Sequence, residues 1–130
     1  MKKLLFLIVL VCHYCLAQQP NIVFLLADDL GYGEIGAYGQ NEIQTPVLDS
    51  LAKAGICFTN AYAGSPVCSP SRAVLMTGIS SSKNTIRGNQ GYDYKSKRLD
   101  RIPLKTSDIT IAEILKEAGY QTGFIGKWHL

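Results

Sequence analysis

The sequence predicts an α/β fold built on a mostly parallel sheet. Short apolar runs, partly β-branched, alternate along the chain with segments of helical periodicity, which is typical of βα units. The first run, Asn21–Ala27 (NIVFLLA), is continuously apolar, as are strands that a parallel sheet buries on both faces. The chain has 130 residues, 47% apolar and 18% charged. That length suits one ordinary globular domain.

The first seventeen residues have the three-part pattern of a secretory signal. Two lysines precede the apolar run Leu4–Val11, and the stretch ends in Cys15-Leu16-Ala17. We expect cleavage near Ala17, leaving a domain from residue 18 to residue 130 in the periplasm or outside the cell. His13 interrupts the apolar stretch, which is shorter than the roughly 20 residues that a bilayer requires, so stable membrane insertion is not expected.

Charge and cysteine content narrow the possible functions. The formal net charge of +3 falls to +1 once Lys2 and Lys3 leave with the signal, so bulk charge does not indicate a nucleic-acid partner. The mature chain keeps Cys57 and Cys68. We do not expect them to pair, because a disulfide would consume the sulfur at a helix entrance. Cys57 stands between Ile56 and Phe58 and is expected in the core.

Two acids follow the first predicted strand. Asp28 and Asp29 would lie at its carboxyl end, where open α/β sheets bind ligands. The next segment, Gly31–Gly39, has a glycine-rich sequence typical of a loop whose backbone approaches a neighbour closely. Adjacent carboxylates beside such a loop indicate a cation site. The alternative is a strand-end turn with solvated aspartates.

Helix and strand patterns continue up to the central motif. Thr45-Pro46 is a typical start for a helix, and Gly55 is its expected end. Ile56–Tyr62 is predicted as a second strand. A further apolar helix is expected to open at Cys68-Ser69-Pro70 and to end at Gly78. Its first turn would place the cysteine at the positive end of the helix dipole, where anions are stabilised.

Arg72 lies one helical turn beyond Cys68 and would share its face. A guanidinium in that position offers paired hydrogen bonds to an anion. The alternatives are a solvated arginine and a small buried cysteine.

The remaining sequence adds a basic stretch, a helix and a short strand. Ser80–Lys105 has seven Lys or Arg against two Asp. The stretch is therefore either a binding surface for a polyanionic substrate or a long solvated loop. Thr110 and Glu113 form a capping box that opens an amphipathic helix ending at Gly119. Tyr120–Gly126 is predicted as a third strand, with Lys127 and His129 after it. We therefore expect the candidate side chains to meet at one edge of a single sheet.

Three motifs in this order resemble the amino-terminal landmarks of the type I sulfatases. They are DDLGYGE from Asp28, CSPSRAVLMTG from Cys68 and GKWHL from Gly126. The resemblance implies an alkaline-phosphatase-like three-layer sandwich with a mostly parallel sheet, of which this chain would be the amino-terminal part.

The resemblance also implies a role for each candidate residue. Cys68 would be oxidised to formylglycine (3-oxoalanine) by a formylglycine-generating or anaerobic sulfatase-maturating enzyme. Asp28, Asp29 and the modified Cys68 would bind one divalent cation, usually Ca²⁺. Arg72 and Lys127 would contact the sulfate, and His129 would hydrogen-bond the formylglycine.

The expected function is hydrolysis of sulfate esters, on a sulfated carbohydrate or an aryl sulfate. The first alternative is a phosphate or phosphonate ester hydrolase of the same superfamily. The second is a non-catalytic binder of sulfated glycans that uses the basic stretch. Further metal ligands in the family come from later sequence, so this chain alone is expected to be inactive.

Overall fold

The computed structural model describes residues 19–130, so the predicted signal lies outside the described residues. The chain divides into two compact units, one ending at Leu30 and the other comprising Gly31–Leu130. Residues 19–30 of the first unit are without regular secondary structure. The described part of the second unit contains single 3-10 turns at Tyr32–Glu34 and Gly36–Tyr38, helices α1 (Pro46–Ala54), α2 (Cys68–Thr77) and α3 (Ile111–Glu117), and strands β1 (Gly91–Asp93) and β2 (Arg98–Asp100).

Helix α1 confirms the predicted start and end, because it is flanked by Thr45 and Gly55. The Thr45 side chain does not cap its own helix. Its Oγ1 instead accepts the Gly36 N–H at 2.8 Å and donates to Asp49 Oδ1 at 3.1 Å. Asp49 in turn accepts the Ala37 N–H at 2.7 Å. These bonds fasten the glycine-rich segment onto the first turn of α1, in agreement with the prediction of a loop whose backbone approaches a neighbour closely.

Helix α2 forms the centre of the second unit. The buried residues among those described all belong to this helix or to the segment after it: Ser69, Pro70, Ala73, Asn84 and Ile86. The helix ends, as predicted, at Gly78, whose φ of 67° is the left-handed conformation that glycine adopts without strain. The core is therefore small and is built around the helix that carries Cys68.

Helix α3 contacts α2 and confirms the predicted capping box. Thr110 N–H donates to Glu113 Oε2 at 2.7 Å, and Glu113 N–H donates to Thr110 Oγ1 at 3.4 Å. At the other end, Gly119 N–H bonds to Lys116 O and Tyr120 N–H to Leu115 O, the Schellman arrangement. Both ends of α3 are thus satisfied by residues next to it in sequence.

The basic stretch contains a short β-hairpin and is not a plain loop. Strands β1 and β2 are antiparallel, with Tyr92 opposite Leu99. Asp93 closes the turn by accepting the backbone N–H groups of Lys95 and Ser96 at 3.0 and 3.1 Å. Bonds from Ser96 and from the Lys95 backbone hold the pKa of the Asp93 carboxyl below its ordinary value.

The three predicted strands, residues 21–27, 56–62 and 120–126, were wrong for the described structure. None of them pairs with another segment of residues 19–130, and the sheet found there is the antiparallel hairpin. Their apolar side chains are exposed, as at Val23 (81%), Ile56 (81%) and Ile125 (101%). An apolar run becomes a strand only when neighbouring strands take up its backbone donors and acceptors.

The same shortage of partners corrects the burial prediction for Cys57. Cys57 is exposed, not in the core, and its Sγ contacts Ala52 O at 3.6 Å. The apolar face of α1 is also open, with Val47 72% exposed. Of the helices formed by residues 19–130, none is both long enough and apolar enough to span a bilayer.

Candidate active site

The first turn of α2 holds Cys68 at the amino end of a ten-residue helix. Val67, in extended conformation, is the residue before the first turn, and Cys68 is half-buried. Ser69 and Pro70 beside it are buried. The helix dipole and the first backbone N–H groups favour negative charge at this point. The position predicted for Cys68 is therefore confirmed.

Lys127 is far from Cys68 in sequence and close to it in space. Its Nζ donates to Cys68 Sγ at 3.6 Å. An ammonium group beside residue 68 places a positive charge where an anion bound at the helix terminus would lie. The sequence predicted that these residues meet at a sheet edge, and the structure shows the contact without that sheet.

Arg72 links helix α2 to the same carboxyl-terminal segment. Its Nη1 donates to the carbonyl oxygen of Lys127 at 2.5 Å. A hydrogen bond from a charged donor is about twice as strong as one between neutral groups. Arg72 therefore fixes the Lys127 backbone against the helix, a role that sequence reasoning did not assign to it. A guanidinium has five N–H donors, so this bond uses one of several.

His129 lies two residues beyond Lys127, half-buried, with its Nδ1 buried. Its φ of 61° is in the left-handed region, where a residue other than glycine is strained by about 1–2 kcal/mol. Gly126 also has positive φ, at 114°. The backbone thus turns sharply on both sides of Lys127, which is common where a site requires a particular side-chain placement.

Asp28 and Asp29 belong to the first unit, and both are exposed. Asp29 has a φ of 58°, again in the left-handed region. The two carboxylates supply hard oxygen donors of the kind that Ca²⁺ prefers. The prediction that they end a β-strand was wrong. Cys68 and Lys127 do meet as expected, but residues 19–130 form no parallel sheet whose edge could bring them together.

Asn89 has a role at the site that sequence reasoning did not assign to it. Its Oδ1 accepts the backbone N–H of Ser69 at 3.0 Å, at the start of α2. The sequence contains one signal that points toward such a residue: valine precedes the helix and has no side-chain acceptor. That signal shows that an acceptor is needed and does not show where it comes from.

A protein-family model described as Sulfatase matches residues 20–130. The chain belongs to the sulfatase family. Its matched region includes all three motifs, the described residues of α2 and the Lys127 segment. The recognition made from the motifs is confirmed.

Curated relatives agree with the family match. The chain is 42% identical to human arylsulfatase D over 87% of its own length, and 42% identical to human arylsulfatase A over 95%. It is 44% identical to the N-acetylgalactosamine-6-O-sulfatase of Bacteroides thetaiotaomicron over 88% of its length. The chain spans 19%, 24% and 21% of these sulfatases, respectively. No solved structure gives a significant match.

Proposed function

We propose that this chain provides the amino-terminal catalytic elements of an enzyme that hydrolyses sulfate esters. Two findings support the proposal: membership of the sulfatase family over residues 20–130, and the contact between Lys127 Nζ and Cys68 Sγ at 3.6 Å. The contact carries most weight, because it joins two family motifs that are 59 residues apart. It also puts a cation beside the residue that the family modifies. The finer fold that we propose is the alkaline-phosphatase-like three-layer sandwich with a mostly parallel sheet.

In this proposal Cys68 is the precursor of formylglycine. A formylglycine would supply a hydrated aldehyde: one hydroxyl would displace the alcohol from the sulfur of the ester, and the second would then expel sulfate as the aldehyde re-forms. The amino end of α2 and the Lys127 ammonium stabilise negative charge on the sulfuryl oxygens, since both present positive charge at residue 68. Arg72 holds the Lys127 backbone and contacts the sulfate through its guanidinium. His129 hydrogen-bonds the modified residue and accepts a proton at its imidazole.

We further propose that Asp28 and Asp29 bind Ca²⁺ together with the oxygens of modified residue 68. The donor set fits, because carboxylate oxygens are the usual protein ligands of Ca²⁺. A bound cation would lower the pKa of a hydroxyl next to it. Ca²⁺ takes about six to eight oxygens, so ligands beyond these two aspartates complete its shell.

The substrate that we propose is a sulfated carbohydrate, and the hairpin supports this choice. Four cations lie in or just after it, against Asp93 and Asp100, and all four are exposed: Lys95, Lys97, Arg98 and Arg101. Tyr92 and Tyr94 are exposed (48% and 85%) with their rings 5.0 Å apart, edge to face. Exposed aromatic faces suit the apolar faces of sugars, and the surplus of cations suits sulfate groups. The Bacteroides relative is named for a sulfated sugar.

Export is part of the same proposal. The signal pattern of residues 1–17 favours a secreted or periplasmic domain, residues 18–130, with cleavage near Ala17. The maturating enzyme would be the partner that converts Cys68.

Mass spectrometry of residue 68 tests the modification. The chain is co-expressed with a maturating enzyme and digested with trypsin and chymotrypsin, which releases Ala63–Arg72 and separates Cys68 from Cys57. Conversion makes this peptide about 18 Da lighter, because oxygen replaces sulfur with loss of hydrogens. A full-mass peptide with an alkylatable thiol would contradict the proposal.

Paired hydrolysis assays test the reaction class. Because this chain alone is expected to be inactive, aryl sulfate and aryl phosphate are compared on the converted chain joined to the later sequence of a sulfatase relative, with Cys68→Ala as the matched control. Faster cleavage of the sulfate is expected. Preference for the phosphate would indicate a phosphate ester hydrolase instead. Retention on a sulfated glycan column without hydrolysis of either substrate would indicate a binding protein.

A further inference from the structure

The amino end of α2 needs a hydrogen-bond acceptor that the residue before the helix cannot supply. The first backbone N–H groups of any α-helix have no partner within the helix. Usually the side chain before the helix provides one, but here that residue is Val67. Ser69 is only 4% exposed, so water cannot readily replace the missing acceptor. The acceptor must come from elsewhere in the chain.

Asn89 supplies that acceptor from 20 residues further along, with its Oδ1 3.0 Å from the Ser69 N–H. We propose that Asn89 is a positioning residue for residue 68: it holds the first turn of α2 so that the side chain there meets Lys127. The chemical importance of this placement rests on the proposed function.

The opposite side of the contact is held independently of Asn89. Arg72, in the second turn of α2, bonds the Lys127 carbonyl at 2.5 Å. Lys127 is therefore fastened to the body of the helix, while residue 68 is fastened through Ser69 to Asn89. Loss of the Asn89 acceptor frees the first turn and leaves the Arg72 bond in place. The measurable consequence is a change in how often Cys68 Sγ and Lys127 Nζ meet.

A reagent that reacts where a thiol and an amine are neighbours measures the contact between Cys68 Sγ and Lys127 Nζ directly. Ortho-phthalaldehyde condenses with a primary amine and a nearby thiol to give a fluorescent isoindole. The chain is produced without a maturating enzyme, so that Cys68 remains a thiol, and carries Cys57→Ser to remove the other thiol of residues 19–130. Mass spectrometry then locates the isoindole between Cys68 and Lys127. Lys127→Ala should abolish it.

Asn89→Ala should slow isoindole formation about fivefold, the change in population that loss of a helix cap of ordinary strength produces. Asn89→Asp keeps an acceptor in the same place and should restore most of the rate. Far-UV circular dichroism and amide exchange in α3 show whether the variants are folded. A general loss of structure would lower both the helical signal and the protection of the α3 amides from exchange. A native rate for folded Asn89→Ala overturns the proposal, and so does an Asn89→Asp rate as slow as that of Asn89→Ala.

One further variant keeps the proposal testable if Asn89→Ala does not fold. Asn89→Gln retains the amide on a side chain one methylene longer. This variant should fold, and its isoindole should form more slowly than that of the chain with Asn89. A native isoindole rate for this variant would overturn the proposal. Because the thiol is unconverted in every sample, these results do not depend on sulfatase chemistry. Failure to find formylglycine in the maturation experiment would leave them unchanged.

Discussion

Asn84 is a buried polar residue near the carboxyl end of α2, and its removal should cost much of the stability of the second unit. It is 4% exposed. Its Oδ1 accepts the Ile86 N–H at 3.1 Å, and its Nδ2 donates to Thr77 Oγ1 at 3.2 Å. Ile86 is 2% exposed, so its N–H has no access to water once Asn84 is shortened.

We expect Asn84→Ala to lower the free energy of unfolding by about 2–4 kcal/mol. The stranded Ile86 N–H contributes about 1–3 kcal/mol, and the lost bond to Thr77 contributes about 1 kcal/mol. Equilibrium unfolding in urea, followed by the fluorescence of Trp128, measures the change. Asn41→Ala is the matched control, because Asn41 is exposed, and it should change stability by no more than about 0.5 kcal/mol. A loss for Asn84→Ala no larger than that of the control would refute this reasoning.

Three further outcomes are expected. Gly64→Ala should destabilise the second unit by about 1–3 kcal/mol, because its new methyl group would collide with Val74 of α2. Gly33→Ala, which has open space, should cost less in the same urea experiment. Glu113→Gln should make the free energy of unfolding depend less on pH in the acid range. Backbone and side-chain bonds from Thr110 lower the pKa of Glu113, so its contribution is present above the ordinary carboxyl pKa and is lost as pH falls through the lowered value. The check is the urea midpoint measured from neutral pH down to acid. If the capping box contributed nothing, the midpoint would fall equally with pH in the chain with Glu113 and in Glu113→Gln. Finally, Ca²⁺ at a hundred times its Kd should stabilise the chain by about 2.7 kcal/mol, which thermal unfolding would detect as a rise in Tm. The double variant Asp28→Asn with Asp29→Asn should abolish this thermal shift. The exposed Glu42→Gln control should keep the shift, and an equal shift in the double variant would exclude the two aspartates as ligands.

Helix boundaries were predictable because their signals are local. Thr45-Pro46 and Gly55 bracket α1, and Thr110 with Glu113 starts α3. Each of these signals acts over one turn, where sequence neighbours are also neighbours in space. Their effect on the backbone therefore needs no distant partner. The position of Cys68 at the start of α2 follows from the same local logic.

Strands could not be predicted in the same way, because pairing depends on residues far apart in sequence. The runs at 21–27 and 120–126 are apolar enough for a buried sheet, yet they pair with nothing among the described residues. The hairpin at Gly91–Asp100 was missed for the opposite reason. Its strands are short and mostly exposed, so they show no apolar alternation, and the turn is fixed by the Asp93 side chain.

At the candidate site, too, local sequence signals were predictable and contacts between distant residues were not. Motifs predicted Cys68 and Lys127, but the bond from Arg72 to the Lys127 backbone has no pattern in sequence because it spans 55 residues. The hydrogen bond from Ser69 to Asn89 could not be predicted either, since the role of Asn89 depends on the valine at position 67 and on the burial of Ser69.

The caps of α2 and α3 have different consequences for the site. Helix α3 is closed at both ends by its own neighbours, so its geometry is set as soon as the segment forms a helix. The first turn of α2 depends instead on Asn89, two residues before the hairpin strand that begins at Gly91. A methyl group added at Gly91 would collide with the Ile102 side chain, so the two residues lie close together at the base of the hairpin. Substitutions at the hairpin base should therefore change the geometry at residue 68 even though they lie outside the three sulfatase motifs, whereas substitutions in the capping box of α3 should change only stability.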